Sequence, residues 1–184
     1  MRPGDFIFFV TYALARLVPT LSSFFLTLLE YYGLQLQHLS PNSIALVAIF
    51  IHLCKMYVGV RPSVRLFRRF FVLKAASPRP PLIGGHYFQR RTPSHARYIT
   101  SVSPGRWERW REDWTLVQAD IHDRLALSVD GPTLDRTEWE KDPNLEPGFD
   151  PVLDRIQYLA ENGLTSLMVL HDFLSKCLMP LQDW

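Results

Sequence analysis

Residues 31–59 read YYGLQLQHLSPNSIALVAIFIHLCKMYVG, and this stretch decides the fold. Ser40 followed by Pro41 marks a helix start, because serine caps free N–H groups and proline has none to leave unpaired there. The run after Pro41 is apolar on almost every face until Gly59, a residue type that commonly ends helices. A helix that is apolar all round must be buried all round. The sequence therefore predicts a central core helix that encloses its apolar positions: Ile44, Val47, Ala48, Ile51, Leu53, Met56 and Val58.

Apolar residues at helical spacing predict further helices on both sides of this one. Their predicted ranges, with caps and glycine stops at the ends, are 19–32, 61–72, 152–162 and 165–178. The last two predict an αα-hairpin, and Trp107, Trp110 and Trp114, spaced three and four apart, predict a short helix.

Strand-like patterns are shorter and lie mainly in the middle of the chain. A bend at Gly84-Gly85 precedes a predicted strand at 86–89, with 98–102 as its predicted partner and 115–119 as a further strand. Residues 1–15 are predicted to be an internal helix or strand. The fold class is therefore α+β and mostly helical, with a buried central helix, flanking helices, a small antiparallel sheet and a C-terminal αα-hairpin.

Composition shifts predict the domain organisation. Residues 1–122 are predicted to form a helical core with the small sheet, and residues 123–150 an acidic, proline-rich connector. Residues 151–184 are predicted to form the helical hairpin, packed on the same domain. A chain of 184 residues is long enough for one such domain with an appended helical pair.

The net charge of +2 hides a strong segregation of charge along the chain. Residues 61–111 carry twelve basic residues and one acidic residue, whereas residues 112–184 carry five basic and fifteen acidic ones. This asymmetry favours either a middle segment that faces nucleic acid or two halves of the chain that neutralise each other.

The first alternative gives a set of candidate nucleic-acid-binding residues in the basic middle. Arginines could pair with phosphates, and the neighbouring tryptophans could stack on bases. The competing interpretation is that the tryptophans are core residues with a solvated arginine rim, and that the acidic tail neutralises the arginines. The candidates are Arg61, Arg65, Arg68, Arg69, Arg90, Arg91, Arg106, Arg109 and Arg111.

Catalytic patterns are weak. A two-metal phosphoryl-transfer site would need converging carboxylates, for which Asp113, Asp120 and Glu138, with His122 nearby, are the only candidates worth naming. Acidic residues are dense in this region, and no phosphate-binding glycine loop is present. We therefore expect no catalytic residues, no metal, no cofactor and no small-molecule substrate.

Location is predicted from the cysteines and the apolar runs. Cys54 and Cys177 lie in apolar helical patterns without a metal or redox spacing, which favours reduced core thiols inside the cell, in the nucleus or cytoplasm. The start of the chain has some features of a signal peptide, but Asp5 interrupts it. The apolar run from Ile44 spans about fifteen residues, short of the roughly twenty that a bilayer requires. We expect neither secretion nor membrane insertion.

Several long blocks of the chain resemble one known family. They are YYGLQLQHLSPNSI, HLCKMYVGVRPSV, LFRRFF, GGHYFQRR, GRWERWREDW and VLDRIQYLAENGLTSLMVLHDFLSKCLMPLQ. They are similar to the plant retrotransposon-associated gypsy-type transposase domain family, over nearly the whole chain. Tyr32-Gly33-Leu34, His38-Leu39, Pro41-Asn42, Gly59 and Trp114 fall at signature places, whereas Lys55 replaces a usual acidic residue, and the chain resembles a truncated copy.

The resemblance implies a mobile-element protein and carries over no catalytic residue. We expect a non-catalytic protein that self-associates or packages DNA or RNA through its basic middle. The alternatives are a metal-dependent DNA strand-transfer enzyme and a decayed element fragment without function.

Overall fold

A computed structural model describes residues 5–9, 22–77, 82–92, 97–100, 110–118, 136–144 and 147–178. Its helices are α1 (Ser23–Tyr31), α2 (Pro41–His52), α3 (Val64–Phe70), α4 (Arg136–Glu140), α5 (Asp150–Glu161) and α6 (Ser166–Phe173). Its strands are β1 (Asp5–Phe9), β2 (Phe71–Ala75), β3 (His86–Arg90) and β4 (Trp114–Gln118). The predicted mostly helical α+β fold is confirmed, with two small two-stranded sheets, β1–β4 and β2–β3.

The helix that starts at Pro41 forms as predicted at its start and its end. The Ser40 carbonyl oxygen accepts the first helical hydrogen bonds, and Gly59 ends the helix with a φ of +79°. The last six residues, Leu53–Val58, are π-helical rather than α-helical. Burial is complete at Ile44 and Leu53, but Met56 is 54% exposed, so the prediction that this side chain is enclosed is wrong.

Pro41–Val58 is also long and apolar enough to pass a length-and-composition test for a membrane span. It is the one described helix that does so, and 56% of the segment is buried inside the structure. A buried core helix of a soluble protein passes the same test, so this finding is weak support for a span.

The flanking helices begin at the polar residues that the sequence offers as caps. Ser22, Ser63 and Thr165 each accept a hydrogen bond from the backbone N–H three residues later, at the starts of α1, α3 and α6. The predicted helix at 165–178 forms, with its last five residues π-helical. The predicted helix at 61–72 is confirmed only over Val64–Phe70, because Phe71 and Val72 belong to β2. The predicted helix at 152–162 corresponds to α5, which starts at Asp150.

The strand that pairs with β3 differs from the predicted one. β3 pairs with β2, because the Ala76 N–H donates to the Gly85 carbonyl and the Arg91 N–H donates to the Phe70 carbonyl. The predicted partner 98–102 is not a strand where it is described; Thr100 instead forms an isolated bridge with Thr165. The sequence did not predict β2 because its residues, FVLKA, directly follow the apolar positions of α3 and continue their pattern.

Three further local predictions have clear outcomes. Residues 5–9 form a strand, one of the two predicted possibilities, which pairs antiparallel with β4. Trp114 begins β4 and Trp110 lies in a turn, so the predicted helix through both is wrong; Trp107 lies outside the described residues. The acidic segment contains the short helix α4, where Trp139 is only 3% exposed.

The chain divides into two compact units, each assembled from three stretches. Unit 1 comprises Met1–Leu46, Val72–Gln89 and Gly105–Lys141, and unit 2 comprises Val47–Phe71, Arg90–Pro104 and Asp142–Trp184. The boundary at Leu46 falls inside α2, so this helix contributes side chains to both cores.

Aromatic rings form the centre of unit 2. Phe50 packs edge-on against Phe67 with ring centroids 5.1 Å apart, and Tyr98 meets Phe70 and Phe71 at 4.9 Å. All five side chains are less than 5% exposed. Such edge-to-face pairs add to the free energy of burying the rings.

In unit 1, Trp110 packs directly on the turn before β3. Gly84 has a φ of +65°, and a Cβ at this position would lie 2.8 Å from Cη2 of Trp110 and closer still to Cζ2. Glycine is therefore required twice over at this position, for its backbone conformation and for the close approach of the indole ring.

A glycine series should separate these two causes. We expect Gly84→Ala to lower the free energy of unfolding by more than about 2 kcal/mol, because it adds a clash to a strained backbone. Gly163→Ala, with a φ of +84° but open space around its Cβ, should cost about 1 kcal/mol. Urea denaturation measures both values. Gly148→Ala, which has neither constraint, is the control, and an equal loss in all three variants would contradict this account.

Candidate functional site

Two of the candidate arginines are structural. Arg68 and Arg91 are each only 9% exposed. The Arg91 Nε–H donates to the Arg68 carbonyl oxygen at 2.7 Å, and the Arg91 backbone N–H donates to the Phe70 carbonyl oxygen at 2.7 Å. These bonds fix the segment after β3 against the end of α3. Neither side chain is positioned at the surface to meet a phosphate.

Three other basic residues pair with the acidic tail. Arg69 lies 3.3 Å from Asp142, Arg97 lies 2.8 Å from Glu161, and Lys74 pairs with Glu140. Each pair joins the basic middle of the chain to its acidic last third. All three are largely exposed, so each contributes little stability, but together they neutralise part of the excess positive charge.

Two more arginines of the candidate set are used as local donors. Arg90 donates to the Tyr98 carbonyl oxygen at 2.8 Å. Arg111 donates to the Ile83 carbonyl oxygen at 3.1 Å, and its guanidinium lies 4.6 Å from the centre of the Trp110 ring. Since Trp110 is 8% exposed, it is a core residue with a cation over its ring.

Arg61 and Arg65 are the candidates that face solvent most plainly. They flank Ser63, the residue that caps α3, and both are exposed. Lys55, in the π-helical segment of the same unit, is exposed as well. Arg106 and Arg109 lie outside the described residues. The nucleic-acid assignment of the nine arginines stays a prediction, and Arg61 and Arg65 are its best-placed members.

The residues of the catalytic alternative are only partly described. Asp113 and Glu138 are exposed, and Glu138 pairs with Lys141 on its own short helix. Asp120 and His122 lie outside the described residues. Within the described ranges, no group of three His, Cys, Asp or Glu side chains is placed to hold a metal ion.

Unit 1 has an open cavity of about 460 Å³ beside the end of β2. Its lining consists of residues 73–77 together with Trp139 and Glu140. Lys74 and Glu140, the two charged residues of this lining, pair with each other. The cavity therefore offers no net charge with which to select a ligand.

The most connected polar cluster in unit 2 centres on Asp172. The His52 Nε2 lies 2.9 Å from the Asp172 Oδ2, and the Lys176 Nζ lies 2.9 Å from the Oδ1. The Tyr57 ring lies beside this pair, with its centroid 6.2 Å from that of the His52 ring. The hydrogen bonds from His52 and Lys176 hold the pKa of Asp172 below its usual value, and burial together with the Asp172 charge raises that of Tyr57. We call these four residues the Asp172 cluster.

The sequence could not reveal this cluster. His52 and Asp172 are 120 residues apart, and no spacing rule connects a histidine of one helix to an aspartate of another. His52 is a buried interhelical histidine, since it is 5% exposed and bonded to a second helix. Cys54, two residues on, is a free, fully buried thiol whose pKa burial raises to about 12.

A second feature of unit 2 is the exposed apolar surface of its last two helices. Tyr158 on α5 is 55% exposed, and Leu167 and Met168 on α6 are 56% and 54% exposed. α5 fully buries only Ile156 among its described side chains, and α6 fully buries Ser166 and Val169. We call Tyr158, Leu167 and Met168 the exposed apolar surface.

Comparison with known proteins gives one match. The model of a family described as "Putative gypsy type transposon" matches residues 7–75, somewhat more than a third of the chain. The resemblance is confirmed over this range, which includes Tyr32-Gly33-Leu34, Pro41-Asn42 and Gly59. Residues 7–75 are therefore similar to a gypsy-type transposon family. No curated protein and no solved structure matches the chain.

The division of the arginines into structural and exposed members can be tested by stability. Arg91→Met keeps the aliphatic stem but removes the donor to the Arg68 carbonyl oxygen, so we expect it to lower the free energy of unfolding by about 1–3 kcal/mol. Arg61→Met removes the same charge at an exposed position and should change it by less than about 0.5 kcal/mol. Urea denaturation compares the two, and equal values would show that Arg91 has no structural role.

Proposed function

We propose that this chain is a non-catalytic protein of a transposable element and that it acts by self-association through its last two helices. The observation that supports this proposal is the exposed apolar surface. Three large apolar side chains, each more than half exposed, lie within eleven residues of chain. Single exposed apolar residues are common, whereas groups of them are typical of interaction sites.

The charge distribution favours self-association over nucleic-acid binding as the main function. Ion pairs with the acidic tail, burial and local hydrogen bonds already engage most described members of the basic middle. A self-associating protein does not need a large free basic surface. The buried thiol of Cys54 fits a reducing compartment, and we place the protein inside the cell, in the nucleus or cytoplasm.

Sedimentation velocity over a range of protein concentrations tests self-association. We expect the purified chain to form a concentration-dependent oligomer, and Met168→Gln to raise its dissociation constant at least about tenfold, because a polar group would replace a buried contact. The matched control is Met56→Gln, which makes the same change at an equally exposed methionine outside these helices. A monomer at every concentration, or equal weakening by both variants, would reject the proposal.

Nucleic-acid binding is the second candidate, favoured by the exposure of Arg61 and Arg65 on either side of the α3 cap. An arginine that contacts phosphate releases a counterion on binding, so affinity then depends on salt. We propose that any such binding in unit 2 uses these two side chains.

Titration of single-stranded RNA and duplex DNA at several salt concentrations tests this candidate. Arg61→Gln should weaken binding and reduce the slope of log K against log salt by about 0.7–0.9. Lys141→Gln removes an exposed positive charge outside the basic middle and should leave the slope unchanged. No measurable binding at low ionic strength would eliminate this function without affecting the self-association proposal.

A further inference from the structure

The last two helices of unit 2 are attached to its core mainly by polar contacts. In the Asp172 cluster, His52 comes from the end of α2, Tyr57 from the π-helical segment, and Asp172 and Lys176 from α6 and its continuation. One carboxylate thus accepts hydrogen bonds from two separate parts of the chain. His52 is 5% exposed, so its bond to Asp172 is largely shielded from water.

Both α5 and α6 contact the segment that contains His52 and Tyr57. The Arg155 Nε–H on α5 donates to the Tyr57 carbonyl oxygen at 3.4 Å. On α6, the Phe173 ring packs edge-on against the His52 ring, with centroids 5.4 Å apart. Two π-helical segments, Leu53–Val58 and Leu174–Leu178, begin within two residues of the His52–Asp172 bond. Such segments occur often where a structure carries out a function.

The turn between the helices is attached separately. The Ser166 N–H donates to the Thr100 carbonyl oxygen at 2.9 Å, beside the Thr100–Thr165 bridge. Arg97 pairs with Glu161 in an exposed position. Backbone bonds from Asn162 and Gly163 to the end of α5 stiffen the turn itself. The turn between α5 and α6 is therefore a fixed connection rather than a flexible loop.

Apolar burial by these helices is limited. The fully buried apolar side chains of the segment from Asp150 to Phe173 are Ile156, Leu164 and Val169. By contrast, α1 fully buries four apolar side chains within nine residues. The polar contacts therefore contribute to what holds α5 and α6 in place, and regions that bury few apolar side chains open before the rest of a domain unfolds.

We propose that α5 and α6 form a strap that opens as one unit, and that the Asp172 cluster is the fastening that keeps it closed. Opening uncovers His52 and Tyr57, the residues to which the two helices attach. The strap is a conformational device and does not depend on whether the chain self-associates.

The pH dependence of the fastening follows from its charges. The titratable groups that face Asp172 within the described residues are His52, Tyr57 and Lys176, and His52 and Lys176 each donate a hydrogen bond to it. The pKa of Asp172 is lowered in the folded chain, so its stabilising effect is present above the unfolded value and is lost as pH falls through the folded value. The strap should therefore open more readily in acid.

Native-state hydrogen exchange of the full chain tests whether the strap opens as a unit. Asp172→Asn should speed exchange at the protected amides of α5 and α6 by a common factor of about ten or more, since it removes a charged acceptor. Amides of α1 should exchange as in the unaltered chain. The matched control is Asp154→Asn, which neutralises an exposed carboxylate on α5 and should leave both helices unchanged.

Each outcome of the hydrogen-exchange experiment either supports or overturns the strap. Equal acceleration in α5 and α6, with none in α1, supports the strap. Acceleration confined to the residues next to position 172 would show a local bond without a strap, and no acceleration would show that the cluster is not the fastening. Acceleration in α1 as well would indicate global unfolding and would equally overturn the proposal.

The reactivity of the Cys54 thiol gives a second readout of strap opening. Cys54 lies in the segment that the strap attaches to and is fully buried, so in a Cys177→Ser background it should react slowly with dithiodipyridine. At a fixed pH we expect the rate to rise when Asp172→Asn is added, because opening exposes the thiol. A Cys54 rate that is the same with and without Asp172→Asn, together with unchanged exchange, would overturn the strap.

Discussion

Burial of the helix that begins at Pro41 is the constraint on which the rest of the structure depends. Ile44, Ala45, Val47, Ile49 and Phe50 are all at most 7% exposed, and at about 100° per residue they lie on all sides of the helix. No single layer can cover such a helix. Both compact units therefore draw part of their core from it, and the side chains that surround it come from distant parts of the sequence.

The charge segregation along the chain has a structural explanation in part. The pairs of Arg69 with Asp142 and Arg97 with Glu161 join the basic middle to the acidic tail, and Lys74 with Glu140 does the same in unit 1. Arg68 and Arg91 are buried. Of the two interpretations of the asymmetry, mutual neutralisation accounts for the three ion pairs, and Arg61 and Arg65 are exposed.

The family match and the features that support the proposals lie in different parts of the chain. The match covers residues 7–75 and names no reaction. The exposed apolar surface and the Asp172 cluster both involve the last two helices of unit 2, beyond that match.

The sequence by itself determined the features that rest on local rules. Caps such as Ser63, stops such as Gly59 and Gly163, and the apolar periodicity of each helix placed the helices to within a few residues. Tertiary structure alone decided which strand pairs with β3, that Met56 is exposed, and that Asp172 meets His52. These depend on contacts between residues far apart in the chain, and neither helical periodicity nor residue spacing encodes which distant partner a side chain or strand will find.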